Sequence, residues 1–342
     1  MEHLKLSWKH PLFSISTWPL VTLLGEVLRI GPAASVRATI AALAALNVVL
    51  AYAVLRRSVD SRAIAASFAV LYALLAGNLL IFSIPETYST TNLAILAFLV
   101  VFFARRDRLG WREALGLGGM AALAALYNPP LITLAAIPGV YAWHEGGLKG
   151  AATIGFISLG VAASIFLVVN VTAQAAKTGA FFAFGDRSVE YAGHYVALAH
   201  FVDPRIVTTV ASVFFLFGVV ARTSALLEAP APEQLGGYLS SPTGMIALVL
   251  YAALLLHVLA RCARERSAVE TSLLAWVGGI FLFYIYWQPW TTTRFSVQIL
   301  APLTVVLARA FEALGSRLKS PALAAFSICL AAYNLTQLGG AR

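Results

Sequence analysis

Charge is scarce in this sequence: only 11% of its 342 residues are Asp, Glu, Lys or Arg, while 60% are hydrophobic. That balance excludes an ordinary soluble globular domain. Cysteine is scarcer still. Cys262 and Cys329 are the only two, far apart and in no CxxC or Cys/His pattern, so neither a disulfide framework nor a zinc site is indicated. The opening MEHLKLSWKHP has no apolar core before a small-residue site and therefore does not read as a cleavable signal. GxSxG, HExxH and Walker-type motifs are missing. So is the internal repeat on which many transporters are built.

What the chain has instead is apolar length. Uncharged runs recur at 38–55, 63–84, 87–104, 150–176 and 273–287, each near the ~20 residues a helix needs to cross a bilayer. The reading is an all-α, polytopic transmembrane helical bundle of about 10 spans, forming one membrane-embedded domain over 1–342. The net charge of +9 is carried by short clusters between these runs: Arg56, Arg57 and Arg62; Arg105, Arg106, Arg108 and Arg112; Arg261, Arg264 and Arg266; Arg309, Arg317 and Lys319. Basic residues concentrate in cytoplasmic loops of membrane proteins, so all four clusters are expected inside, and nucleic acid is not an expected partner.

Residues 13–30 are only moderately apolar, are interrupted by Pro19 and carry Glu26 and Arg29, which suits a helix lying in the outer interface within an outer segment 1–32. A short first span is the alternative. Spans are then expected at 33–55, 63–84, 88–104, 150–176, 243–260, 268–287, 295–312 and 320–338. Between them, 114–143 holds YNPP at Tyr127–Pro130, and paired prolines cannot continue a helix. Two short helices meeting at an outward turn are expected there. Residues 177–242 form a long outer loop with a partly embedded piece at 206–221. A second count makes 114–143 one kinked span and 206–221 a true span, which changes the sidedness of 144–200 and leaves Glu86 and Arg294 outside.

Four polar constellations end apolar runs on the outer side: WKHPLF (8–13), SIPETYSTTN (83–92), YNPPL (127–131) and YIYWQPWTTTRF (284–295). Glu86 follows Pro85 in the first turn of a helix, where a carboxylate stabilises the exposed amides by roughly 0.3–1 kcal/mol. The functional reading is a carboxylate that binds a divalent metal, orients a sugar or acceptor hydroxyl, or acts as a base. Lys9 and His10 suit phosphate, and His10 also a metal; an interfacial lysine beside a turn proline explains them equally. Arg294 stands among Trp287, Trp290 and Phe295, which read as an interfacial belt, with a lipid-phosphate contact as the other reading. Asp186, Glu190, His194 and His200 read best as a solvated loop rather than a metal cluster.

In their order these constellations resemble the polytopic type C glycosyltransferases that use lipid-phosphate-linked sugars, close to the lipid A aminoarabinose transferase and protein O-mannosyltransferase group. WKHPLF is similar to a Lys-Pro-Pro-Leu-like element, with Lys9 matching the lysine and His10 replacing the first proline; Arg37 matches a later arginine. Glu86 falls where the family has a second-loop acid. YNPPL occupies the place of a small loop that often carries a lysine, with Asn128 in its position, and WTTTRFSVQILAPL is similar to the arginine-aromatic element opening a late span.

The resemblance implies a multi-pass enzyme of the cell inner membrane moving a hexosyl or pentosyl group from a polyprenyl-phosphate donor to a lipid, glycan or protein acceptor in the cell envelope. Glu86 would be catalytic, and Lys9, His10, Asn128, Trp287 and Arg294 would bind substrate; metal use is left open. In the family a first span and an acidic motif carrying the catalytic base precede the Lys-Pro-Pro element. This sequence is expected either to begin after them or to be a divergent member, and Glu2 is the only acid before Lys9. A non-catalytic lipid-binding or assembly subunit on the same scaffold is the alternative function. A small-solute transporter ranks below both, because the spans hold almost no ionisable residue.

Overall fold

The computed structural model describes residues 11–75, 78, 88–178, 242–265, 267–287 and 296–314, together with 321, 323–325, 328 and 332. Every element among the described residues is helical: α1 (Pro11–Leu28), α2 (Pro32–Ser58), α3 (Arg62–Leu74), α4 (Tyr88–Arg105), α5 (Trp111–Tyr127), α6 (Ala136–Thr178), α7 (Pro242–Glu265), α8 (Ala268–Trp287) and α9 (Leu300–Ala313), with short 3-10 turns at Arg106–Arg108, Pro129–Ala135 and Ser296–Ile299. Four stretches among them are long and apolar enough to cross a bilayer: Pro32–Ser58, Tyr88–Arg108, Pro129–Thr172 and Ala268–Tyr286. The chain is an integral membrane protein of all-α class. The expected pieces at 206–221 and 320–338 lie outside the described residues or are described only at isolated positions.

The helices group into two compact units, Met1–Leu50 with Ile81–Glu190 and Thr271–Trp276, and Ala51–Leu80 with Tyr191–Glu270 and Val277–Arg342. In the first unit α1 ends in a left-handed residue, Arg29 (φ 52°), and the Ile30 amide donates back to the Gly25 carbonyl at 3.2 Å. This is a helix stop of the Schellman type, and it turns the chain into α2 so closely that a Cβ on Gly25 would meet Ser35 Oγ at 2.7 Å. The moderately apolar α1 leaves Leu23, Val27 and Leu28 exposed, as suits a helix lying against lipid.

The YNPP stretch ends α5 at Tyr127 and starts the 3-10 turn at Pro129, because proline is accepted in a first turn and rejected in a helix interior. Beyond it α6 contains Gly147 at φ 69° and ψ −165°, which divides it into arms 136–146 and 148–178. The arms fold back on each other: a Cβ on Gly139 would lie 3.0 Å from the Gly155 Cα, and one on Gly150 would lie 3.3 Å from the Ala142 carbonyl oxygen. Small residues permit that approach, as they do between membrane helices generally. Gly118 of α5 does the same against the Ser158 carbonyl. The buried ring of Phe102 on α4 meets Tyr141 edge to face at 5.5 Å. The second arm turns Phe156, Leu159, Leu167 and Val168 outward, an apolar face suited to lipid.

In the second unit α9 is the central element, with Leu303, Val306, Leu307, Ala308 and Phe311 buried and Phe311 stacked obliquely on Phe68 of α3 at 5.7 Å. Its last turns carry an ionic clasp. Glu270, 1% exposed at the start of α8, accepts from Arg309 Nε at 3.1 Å and lies 3.9 Å from Arg261 Nη1. Arg309 Nη1 donates to the Ser58 carbonyl at 2.8 Å, and Arg261 Nη1 to the Arg309 carbonyl at 3.0 Å. Glu312 accepts the amides of Asp60 and Ser61 at 3.1 and 2.8 Å. Arg56 donates to the carbonyls of Val59 and Asp60. One arginine from each of three basic clusters thus enters a single network tying the α2–α3 and α7–α8 connections to the end of α9.

Removing one partner of a buried ion pair strands the other charge, at a cost of about 3–5 kcal/mol. Glu270 keeps Arg261 at 3.9 Å, so Arg309→Leu is expected to lower the free energy of unfolding in lipid by less than that, about 1.5–3 kcal/mol as for a hydrogen bond to a charged group. Arg309→Leu with Glu270→Leu is expected to lower it by less than the sum of the single changes. A second consequence concerns Cys262, whose thiol donates to Glu270 at 3.6 Å. Burial, and then the Glu270 carboxylate, push it up from 9.0 to about 11. Only the thiolate attacks maleimides, so at pH 8 a Cys329→Ser protein should label at Cys262 about 100-fold more slowly folded than denatured. The folded rate should keep climbing with pH up to about 11, and a folded rate that levels off near pH 9 contradicts this account.

Candidate functional site

Of the six residues singled out from the sequence, Asn128 alone has its side chain described. Lys9, His10, Glu86 and Arg294 lie outside the described residues, and Trp287 is described only as the last residue of α8. Asn128 sits in extended backbone (φ −152°, ψ 111°) between α5 and the 3-10 turn, buried at 7% exposure. Its amide donates to the Ala124 carbonyl and its own carbonyl accepts from Leu131. The turn is fastened by Thr133, whose hydroxyl donates to the Pro130 carbonyl at 2.7 Å and accepts from the indole of Trp276 at 3.0 Å. Asn128 is thus held rigidly while its side chain makes no cap bond. Arg37 lies exposed near the start of α2.

Immediately after Glu86 in the chain, α4 begins with a polar turn that has gone inside. Tyr88, Ser89, Thr90, Thr91 and Asn92 are all buried. Asn47 of α2 faces this turn, with Nδ2 donating to the Ser89 carbonyl at 2.9 Å and to the Leu43 carbonyl at 2.8 Å. Among the described residues, Asn47 Oδ1 and Thr91 Oγ1 have no hydrogen-bond partner, although both residues are fully buried. A buried polar atom without a partner costs about 1–3 kcal/mol, and such exceptions concentrate where a ligand or ordered water completes the set. The carboxamide oxygen can accept a hydrogen bond, and the hydroxyl can donate or accept one.

A similar arrangement opens α9 in the second unit. Gln298 in the turn Ser296–Ile299 is 0% exposed, its Oε1 accepts from the Tyr284 hydroxyl at 2.7 Å, and its Nε2 has no partner among the described residues. Sequence reading passed over Asn47, Thr91 and Gln298. For Asn47 a signal was available: it is the sole amide in the uncharged run 38–55, and polar side chains are costly inside a membrane. Among the described residues no group of three or more His, Cys, Asp and Glu is arranged to hold a metal. Glu86 and the 186–203 stretch lie outside them.

No protein-family model matches the chain, and no curated protein matches it. Among solved structures it is similar to the Archaeoglobus fulgidus oligosaccharyltransferase tethered by a disulfide bond to an acceptor peptide containing the NVT sequon, with a TM-score of 0.51 and 16% identity. The likeness covers 97% of this chain and 47% of that one. The likeness is one of fold. This chain spans about half the length of the oligosaccharyltransferase it matches, so what is shared is the helical scaffold.

The buried Thr91 hydroxyl gives a direct test of whether the α4 turn is kept for stability. Thr91→Val preserves shape and removes the unpartnered oxygen, so it is expected to raise thermal stability by about 1 kcal/mol. Unfolding of the two proteins in the same bilayer checks this; a loss of stability on substitution would mean that the hydroxyl is already satisfied.

Proposed function

We propose that the chain is a membrane glycosyltransferase that moves a hexosyl or pentosyl group from a polyprenyl-phosphate donor to an acceptor at the outer face of the inner membrane. The observation that supports this reading is the likeness in fold to the oligosaccharyltransferase, which extends over 97% of the chain. The similar oligosaccharyltransferase was crystallised with an acceptor peptide, which keeps a peptide among the acceptor classes, beside a lipid or glycan. In this reading Arg294 and Lys9 offset the charge that grows on the departing phosphate; fixed cations in a dry site do this without reorganising. Glu86 orients the attacking group or holds a divalent ion for it. His10, Asn128 and Trp287 complete the substrate contacts. Asn128 supports its part through rigidity: a side chain on a fastened turn keeps its position when substrate arrives.

The test is transfer from a polyprenyl-phosphate sugar by the purified 342-residue chain in proteoliposomes. Glu86→Gln is expected to lower kcat about 100-fold or more, the usual range for a positioned acid or base, with little change in unfolding temperature. Equal turnover by Glu86→Gln removes Glu86 from the chemistry. Crosslinking to polyprenyl phosphate without any sugar transfer replaces the transferase reading by that of a lipid-binding or assembly subunit.

A further inference from the structure

The amide of Gln298 is built for a partner that the described residues do not supply. It leaves the 3-10 turn Ser296–Ile299 at the head of α9 and is wholly enclosed. Tyr284, also buried, comes from α8 and donates its phenolic hydrogen to Gln298 Oε1 at 2.7 Å. With the oxygen held, the amide plane is fixed and both Nε2 hydrogens point away from the phenol. Among the described residues nothing accepts them. Within a bilayer, water cannot be relied on to take that role, and a leucine would fill the same space without an unpaired donor. Two residues on two helices are thus spent on presenting one oriented N–H pair.

A donor-only face matches an acceptor-only ligand. Phosphate oxygens carry lone pairs and charge and bring no hydrogen of their own, whereas a sugar hydroxyl also needs an acceptor. Arg294, the cation assigned to phosphate in the proposed function, lies four positions earlier in the chain. We propose that Gln298 Nε2 donates to a phosphate oxygen of the lipid-linked donor, with Tyr284 as the positioning residue that fixes the amide. This inference rests on the glycosyltransferase reading and adds to it a neutral phosphate ligand, which grips the leaving group without further charge.

The experiment measures binding of undecaprenyl phosphate, with undecaprenol as the uncharged control, to the intact chain in nanodiscs. Gln298→Leu is expected to weaken undecaprenyl phosphate about tenfold, in line with a hydrogen bond to a charged group. Undecaprenol binding should not change, and thermal stability should be equal or higher. Gln298→Glu should weaken the phosphate lipid further than Gln298→Leu, since a carboxylate faces the anion. Tyr284→Phe should give a smaller loss in the same direction. Should Gln298→Leu fail to fold, Gln298→Met takes its place, with the same expected values. Binding by Gln298→Leu equal to wild type, or tighter binding by Gln298→Glu, overturns the assignment and leaves the transferase reading standing. Wild-type protein that neither binds undecaprenyl phosphate nor transfers sugar overturns both.

Discussion

A peptide group with no partner in hydrocarbon costs several kcal/mol, and this one constraint governs the described residues. It makes helices the only described elements and confines irregular backbone to their ends. It also explains why the ends are so heavily fastened. The Ile30 amide folds back to Gly25. Glu113 accepts the Gly110 amide, Ser61 caps α3 through Ile64, and Thr133 closes the turn after Asn128. Each of these takes up a backbone group that the adjoining helix leaves over.

Once every helix is internally satisfied, lateral association has to come from close packing and from a few polar bridges. Both are present in each unit. In the first, glycines bring α5 and the two arms of α6 to near backbone contact, and one carboxamide, Asn47, joins α2 to α4. In the second, aliphatic packing around α9 ends in the clasp of Glu270, Arg261, Arg309 and Glu312. Against that economy the unpartnered atoms at Asn47, Thr91 and Gln298 stand out. Stability alone would have replaced them with apolar side chains of similar size, so they mark the places where the scaffold gives up stability for something else.

Much of the fold could be read from composition. The boundaries expected near 33–55, 88–104 and 268–287 agree with α2, α4 and α8 to within three residues, because charged residues and prolines punctuate apolar runs sharply. Tyr127 to Pro130 was read as a turn for the same local reason, and the structure breaks the helix there. What was not legible depends on contacts across long sequence separations. Arg309 reaches Glu270 over 39 positions and Ser58 over 251, and nothing local to any of the three reveals it. The Gly139–Gly155 approach is equally silent, since nothing in the sequence around either glycine says that the two arms meet. The candidate site was legible as polar constellations at run ends. Only through Asn128 does the described structure bear on its named side chains, while Thr91 was hidden within a quoted motif by its ordinary look as a helix-start hydroxyl.

The clasp has a consequence for how the protein is made. Arg56, Arg261 and Arg309 come from segments whose positive charge is of the kind that orients helices as they enter a membrane. In the finished protein the same guanidinium groups bond to backbone carbonyls and to Glu270. One set of residues therefore acts twice, first as a long-range signal read during insertion and later as short-range hydrogen-bond donors. Lysine would serve the first act as well as arginine does, but its single ammonium cannot reproduce the planar fork by which Arg309 engages Ser58 and Glu270 together. At these positions the choice between two equally charged side chains is made by assembly, after orientation has been decided.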